Sequence, residues 1–359
     1  MWNNNQLSQS LGIKYPIIQA GMAGGITTPD LVASVSNSGG LGSIGAGYMN
    51  VEKLRETIQE VKKLTDQPFS VNLFTPEFVQ VEQNEIDQAN DWLSRYRYEL
   101  NINEAPPVEK VTDENFKQQV EVIIEENVPI CSFTFGIPDR DIIKKLKEKG
   151  IIIIGTATTV DEAIANESAG MDAIVAQGSE AGGHRGSFLN KEAVPMIGTM
   201  ALVPQVVDYV SIPVIAAGGI SDGRGIVASL GLGAKGVQLG TAFLTSEENG
   251  SPQVAKLAIL NAQETDTVVT TTFSGKPARG LLNDFIKEMR QYEGKVPSYP
   301  VQNSLTQPIR AKAAKLNRPE YMSLWCGQNL RSSKENSANQ MVIDLVTQVE
   351  DVINKLFQS

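Results

Sequence analysis

The chain holds a single histidine, His184, in the stretch EAGGHRGSF, with Gly182 and Gly183 before it and Gly186 just after it. An imidazole is the one side chain here whose ordinary ionisation lies near neutral pH, which makes this position the candidate for moving a proton beside a bound ligand. The flanking glycines, lacking a Cβ, would let the ring and the local backbone lie against a planar group. A second candidate is IPVIAAGGISDGRG followed by GVQLGTAF. There Gly218 and Gly219 bring backbone amides within reach of phosphate oxygens, Ser221 and Asp222 open a helix whose amino end favours an anion, and Gly240 with Thr241 completes a cradle. Arg224 is the basic residue beside it. Gln19, Asn72 and Gln177 are uncharged amides at the ends of apolar runs. Such groups suit a flat heterocycle with alternating donors and acceptors, and for each taken singly an anchoring role in a loop fits equally well. Glu180 and Arg185 read as a solvated pair on the rim.

Something must place these groups together. Eight short apolar, β-branched runs, each followed by turn residues, begin near residues 15, 41, 69, 128, 150, 171, 212 and 234. Helical segments lie between most of them, with punctuation such as Thr28 and Pro29 at a start, Gly39 after an end, and a capping box from Thr159 to Glu162. Strands apolar throughout and separated by helices describe a parallel sheet covered by helices, and eight such units predict a (β/α)8 TIM barrel whose active face is built by the loops after the strands. An open doubly wound sheet is the competing architecture. The barrel is expected as a single domain over 1–359, with a helical insertion at 75–115 carrying Trp92, Arg95, Tyr96, Arg97 and Tyr98, and a C-terminal segment, 250–325, folding over the substrate side. GGLGSIG formally contains the dinucleotide fingerprint at Gly40, Gly42 and Gly45. Its setting is inverted, because the glycines end a helix and run into a strand.

With 41% hydrophobic residues the chain can bury a large core, and a formal charge of −10 with scattered Lys and Arg argues against a nucleic-acid partner. No apolar run approaches a membrane span and the opening MWNNNQLSQS does not read as a signal peptide, so a cytoplasmic location without a membrane partner is expected. Cys131 and Cys326 have no metal-ligand spacing and are expected as buried free thiols; no metal site is expected. A homo-oligomer is compatible with all of this.

The segments YPIIQAGMAGG, SVSNSGGLGSIGAG, SFTFGIP, QGSEAGGHRGSF, PVIAAGGISDGRG, GVQLGTAFL, SYPVQNSLT and WCGQ resemble those of nitronate monooxygenases of the bacterial class I type, formerly 2-nitropropane dioxygenases, from about residue 12 to residue 328. The resemblance implies an FMN-dependent barrel that oxidises alkyl nitronates such as propionate 3-nitronate with O2, giving a carbonyl compound and nitrite and so detoxifying them. It further implies cofactor contacts at Met22, Asn72, Gln177, Gly182, Gly218, Gly219, Gln238, Leu239, Gly240 and Thr241, a catalytic His184, and Tyr299 on the substrate side. Flavin-dependent enoyl-[acyl-carrier-protein] reductases share the AGGH and AAGGI stretches and are the alternative enzyme; a non-catalytic FMN-binding protein is the alternative outside catalysis. One departure is Thr134, where some members of the family carry a second histidine in the SFxFG motif.

Overall fold

The computed structural model describes residues 2–108, 111–189 and 194–358. Eight of its strands are parallel: β1 (Ile17–Gln19), β2 (Gly42–Gly45), β3 (Phe69–Phe74), β4 (Ile130–Thr134), β5 (Ile152–Ala157), β6 (Ala173–Gln177), β8 (Val214–Ala217) and β9 (Gly236–Leu239). They run in the order β1-β9-β8-β6-β5-β4-β3-β2. The remaining gap closes through Leu41, just ahead of β2: its N–H donates to the Ile17 carbonyl and its carbonyl accepts from Gln19 N–H, both at 2.9 Å. The sheet is therefore a barrel and each of the eight apolar runs is one of its strands.

The barrel interior is packed rather than hollow. Ile18, Leu41, Ile130, Ile154, Val175 and Ile215 come from six positions around the sheet and touch one another, which only inward-facing residues can do. Leu7 and Leu11 of the short helix Gln6–Leu11 join that cluster and plug its amino-terminal end. At the opposite end the strand-to-helix loops form the active face. Thr28 caps Pro29–Asn37 as its sequence predicts, accepting from Leu31 N–H at 3.1 Å. At Thr159 the expected capping box is only half formed. Thr159 accepts from Glu162 N–H, but the Glu162 side chain, wholly buried, turns instead to Thr158 N–H, the Thr158 hydroxyl and the amides of Phe188 and Leu189. It thus pins the loop after β6 to the end of β5.

The helix that completes the ring is the last one, Ala338–Gln358, packed between Pro29–Asn37 and Gly223–Gly231. Everything between β9 and that helix is consequently an insertion in the final strand-to-helix loop, which puts it on the active face. It contains β10 (Thr267–Thr270) and β11 (Ala278–Leu281), which join β7 (Gly183–His184) in a three-stranded antiparallel sheet, and the helix Val301–Lys315. The segment after β3 forms the helix Gln83–Glu99, whose Leu93 and Tyr96 pack into the core of that insertion while Trp92 stacks on Tyr292. No residue of this helix reaches the cavity described below among the described residues; it braces the cover from behind, and Tyr98 is left exposed.

Replacing Glu162 with Ala would strip four donors of their acceptor, the two on Thr158 buried and the amides of Phe188 and Leu189 partly so. At 1–3 kcal/mol for each unsatisfied group, partly relieved by relaxation, we expect a loss of about 3 kcal/mol or more in chemical denaturation. A loss below about 1 kcal/mol would show that the loop after β6 is held by other contacts.

Candidate active site

A cavity of about 620 Å³ opens at the carboxyl ends of the strands, within the range that binds cofactors and small substrates. Three regions make it up. The first follows β8 and β9. Gly218 and Gly219 adopt positive φ, 115° and 72°, and turn the chain so that the amides of Gly219, Ile220 and Ser221 have no recorded acceptor among the described residues. Two hydroxyls add to them: Ser221 Oγ accepts from Ser332 Oγ at 2.7 Å and Thr241 Oγ1 accepts from Gly327 N–H at 2.8 Å, so each keeps its own proton to donate. Arg224 stays out of this cradle, exposed and paired with Asp222. The donors that face the space are neutral, and the Glu180 carboxylate on the adjoining wall is turned to Thr199, an arrangement suited to a phosphate group.

The second region is the middle of the cavity. Met22, Asn72, Gln177, Gly182, Gln238 and Gly240 all border it. Asn72 Nδ2 donates to Ser132 Oγ (2.9 Å) and Thr134 Oγ1 (3.2 Å), which orients the amide and leaves Oδ1 free to accept. Gln177 is an anchor as well as a wall: Nε2 donates to the His184 carbonyl at 3.1 Å and Oε1 accepts from Gly186 N–H at 2.8 Å. Two expected positions fall outside. Gln19 is fully buried and binds Ser43 N–H and the Ala20 carbonyl, joining β1 to β2. The Leu239 side chain points away from the barrel mouth into the core between sheet and helices, as the alternation after Gln238 requires, so only its main chain can serve the site.

The third region surrounds His184. Its main chain is not free to lie on a ligand, because Ala278 pairs with His184 and Arg279 with Gly183 in the small sheet. The neighbouring glycine likewise serves packing: a Cβ on Gly182 would sit 2.4 Å from the Cys326 backbone. The ring is walled by Phe135, Tyr299 and Trp325, with centroids 5.6 to 5.7 Å from its own. Phe135 holds φ at 75°, a conformation that costs a bulky residue roughly 1–2 kcal/mol and is here maintained by its place in this aromatic box. Tyr299 is one layer back from the cavity, its hydroxyl shared with Tyr48, which borders it.

Hydrogen bonds around Ser274 assign the histidine tautomer. With the one Ser274 Oγ proton donated to the Lys276 carbonyl at 3.0 Å, the 2.9 Å contact with His184 Nε2 is donated by the imidazole. Nε2 carries the proton and Nδ1 carries a lone pair. Burial, reinforced by the charges of Arg310 and Lys276, pushes the imidazole down to about 3, so it is neutral at physiological pH. Lys276 is itself paired with Glu77 at 3.0 Å.

Glu180 and Arg185 do not form the expected rim pair. Glu180 caps the helix Thr199–Tyr209, accepting from Thr199 N–H and hydroxyl at 2.9 Å. Arg185 is buried, donates to the carbonyls of Gly178 (2.6 Å) and Gln177 (3.0 Å), and is lowered by burial to about 10. Both cysteines are buried free thiols, and burial raises Cys326 to about 12. Sequence reasoning did not reach Tyr48, Phe135, Ser274, Arg310 or Trp325. Of these, Phe135 and Trp325 lie in the quoted segments SFTFGIP and WCGQ without a role assigned to them, and Arg310 ends a polar stripe Asn303, Gln307, Arg310 at helical spacing.

The family description "Nitronate monooxygenase" matches residues 4–348. The chain belongs to the nitronate monooxygenase family. Relatives named probable nitronate monooxygenase from Staphylococcus haemolyticus and Staphylococcus aureus are each 57% identical to it, over 98% of this chain and 99% of theirs. Among solved structures, a nitroalkane oxidase from Streptomyces ansochromogenes is similar with a TM-score of 0.91 at 37% identity, over 98% of this chain and 99% of that one. FabK from Thermotoga maritima is similar at 0.79 and 33%, over 99% of both chains, a more distant likeness. Family membership makes the chain a flavin-dependent oxidoreductase. No helix among the described residues is long and apolar enough to cross a membrane.

Because the chain has one histidine, its imidazole C–H signals are unique in a proton NMR spectrum. They should stay fixed between pH 5 and 8, and an inflection near the ordinary value of about 6.5 would contradict the neutral state. The sign for stability follows: below about 6.5 the unfolded chain takes up a proton that the folded chain refuses, so stability falls as pH drops from there toward about 3.

Proposed function

We propose that this protein binds FMN and oxidises small alkyl nitronates with O2 to a carbonyl compound and nitrite, as a cytoplasmic enzyme. The observation that carries the reading is one cavity holding both a neutral phosphate cradle and a proton-free imidazole nitrogen. Three amides without an acceptor among the described residues and two hydroxyl donors suit a single phosphate monoester. The tail closes behind them, with Asn329 Nδ2 on the Gly219 carbonyl at 3.0 Å and Ser332 on Ser221, which supports FMN over a dinucleotide. When bound, the flavin supplies the electron acceptor that none of the twenty side chains provides.

The chain's own residues do the rest. Asn72 Oδ1 and the cradle amides orient the cofactor. Phe135 and Trp325 wall the reacting side with apolar surface, and Tyr48 stands at its exposed edge. Ile26, Leu244, Ile259 and Leu324 line an apolar end that suits an alkyl group. His184, neutral and held by Ser274, keeps Nδ1 available to take a proton from the carbon beside a nitro group; a nitronate has already lost that proton and does not need the step.

Three outcomes check this. Air-saturated holoenzyme should consume oxygen and release nitrite with ethyl nitronate in the absence of NADH and NADPH; fast NAD(P)H oxidation with an enoyl thioester instead would assign the reductase reaction. Gly219→Val should purify without flavin, since a side chain is strained at that positive φ and its Cβ would press on Glu180 at 3.3 Å and displace the cradle backbone, and full flavin retention would move the phosphate elsewhere. His184→Asn should lower turnover of a neutral nitroalkane by about 10²- to 10⁴-fold, the usual cost of losing a base, and turnover of preformed nitronate by less than about tenfold. An equal fall on both substrates with flavin retained would replace proton transfer by an orienting role.

A further inference from the structure

The neutral tautomer of His184 raises a question about charge. A nitronate is an anion, and an imidazole whose only N–H is committed to Ser274 presents a lone pair, which repels one. Some other group must receive the negative charge.

We propose that Arg310 is that group: its Nη1 holds the anionic nitronate oxygens and makes the cavity select nitronates over neutral nitroalkanes. This deepens the nitronate reading and rests on it only for the identity of the anion. Arg310 stands on the helix Val301–Lys315 and borders the cavity. Its Nε donates to Thr306 Oγ1 at 3.2 Å, and its Nη2 donates to the Asn303 carbonyl and Oδ1, both at 2.8 Å. Those three bonds use three of the five guanidinium protons and lock the side chain against its own helix. The two protons on Nη1 have no recorded partner among the described residues.

No carboxylate pairs with Arg310 among the described residues, and the groups that feel its charge are Tyr48, Tyr299 and His184. The other cations nearby are spoken for: Lys276 by Glu77, Arg279 by the Ser179 carbonyl and Thr267, Arg185 by carbonyls of its own loop. Glu180, the acidic residue on the cavity wall, is turned to the end of the helix Thr199–Tyr209. A guanidinium held partly buried without a counter-charge is costly unless an anion joins it. Preorganisation by Asn303 and Thr306 means that little side-chain entropy is lost when it does.

The test uses the FMN-loaded wild type, Arg310→Gln and Arg310→Lys. Nitrate, a planar trigonal anion that cannot be oxidised, serves as a binding probe read by the change in flavin absorbance and by the shift of the unique His184 resonance. Arg310→Gln should weaken nitrate binding and raise the KM for ethyl nitronate by about 10- to 100-fold, the worth of a charged hydrogen bond, with kcat changed by less than about threefold. Its affinity for neutral nitroethane should change by less than about threefold, and Arg310→Lys should recover most of the nitrate binding. Wild type that fails to bind nitrate, equal losses for anion and neutral ligand, or loss of FMN from Arg310→Gln would overturn the assignment, the last by giving Arg310 to the cofactor. If wild type binds nitrate through Arg310 and yet oxidises no nitronate, the anion site stands and the proposed reaction falls.

Discussion

The stretch from Gln177 to Gly186 contains Gly178, Gly182, Gly183 and Gly186, and a segment of that composition has no conformation of its own. Its shape is imposed by hydrogen bonds from three directions. The barrel holds it through Gln177, whose amide spans the loop, and through Arg185, which gathers the carbonyls of Gly178 and Gln177. Glu162 holds its far end through Phe188 and Leu189. The insertion after β9 pairs with Gly183 and His184 as a strand and lays the Cys326–Gly327 turn against Gly182. The histidine's position is thus a joint property of parts of the chain that are far apart in sequence, and no local motif around it would hold it by itself.

That dependence explains which features were legible in the sequence. The eight barrel strands were, because a strand buried on both faces must be apolar throughout and its ends must turn, and both signatures are local. The tight turn after β8 was too, since Gly218 and Gly219 take the positive φ that paired glycines at a strand end permit. By contrast β10 and β11 are four residues each, TVVT and ARGL, and acquire strand character only by pairing with each other and with β7. A pairing set by tertiary contact leaves no periodicity to read. In the insertion expected at 75–115, Trp92 and Tyr96 face the core of the later insertion while Tyr98 stays exposed, and that distinction depends on packing partners more than 180 positions away.

The side chains of two strand-end residues depart from expectation for one cause. Gln19 and Leu239 stand at strand ends where a ligand is expected, and both turn elsewhere because successive side chains of a strand alternate in direction. A motif carried over as a continuous run, such as Gln238 to Thr241, necessarily mixes residues that meet a ligand by side chain with others that offer only backbone. Glu180 and Arg185 were misread for a different reason. Charged residues near glycines suggest a solvated rim, yet here each satisfies backbone groups that the glycine-rich loop leaves open.

The electrostatics of the site run opposite to those of the whole molecule. The chain carries a formal charge of −10, which at a distance repels an anion. In physiological salt that repulsion fades over about 8 Å, whereas a charge inside a poorly hydrated cavity is screened far less. Within the cavity the balance is decided by very few groups, since His184 is kept neutral, Glu180 is committed to a helix end and Lys276 is balanced by Glu77. What remains is Arg310 and the aligned amides of the cradle, two separate places for negative charge. A phosphate can occupy one and a nitronate the other without competing. The depressed imidazole and the guanidinium then belong to one arrangement, in which burial does most to keep His184 uncharged and the positive charge that reinforces it is the one proposed to receive the substrate anion.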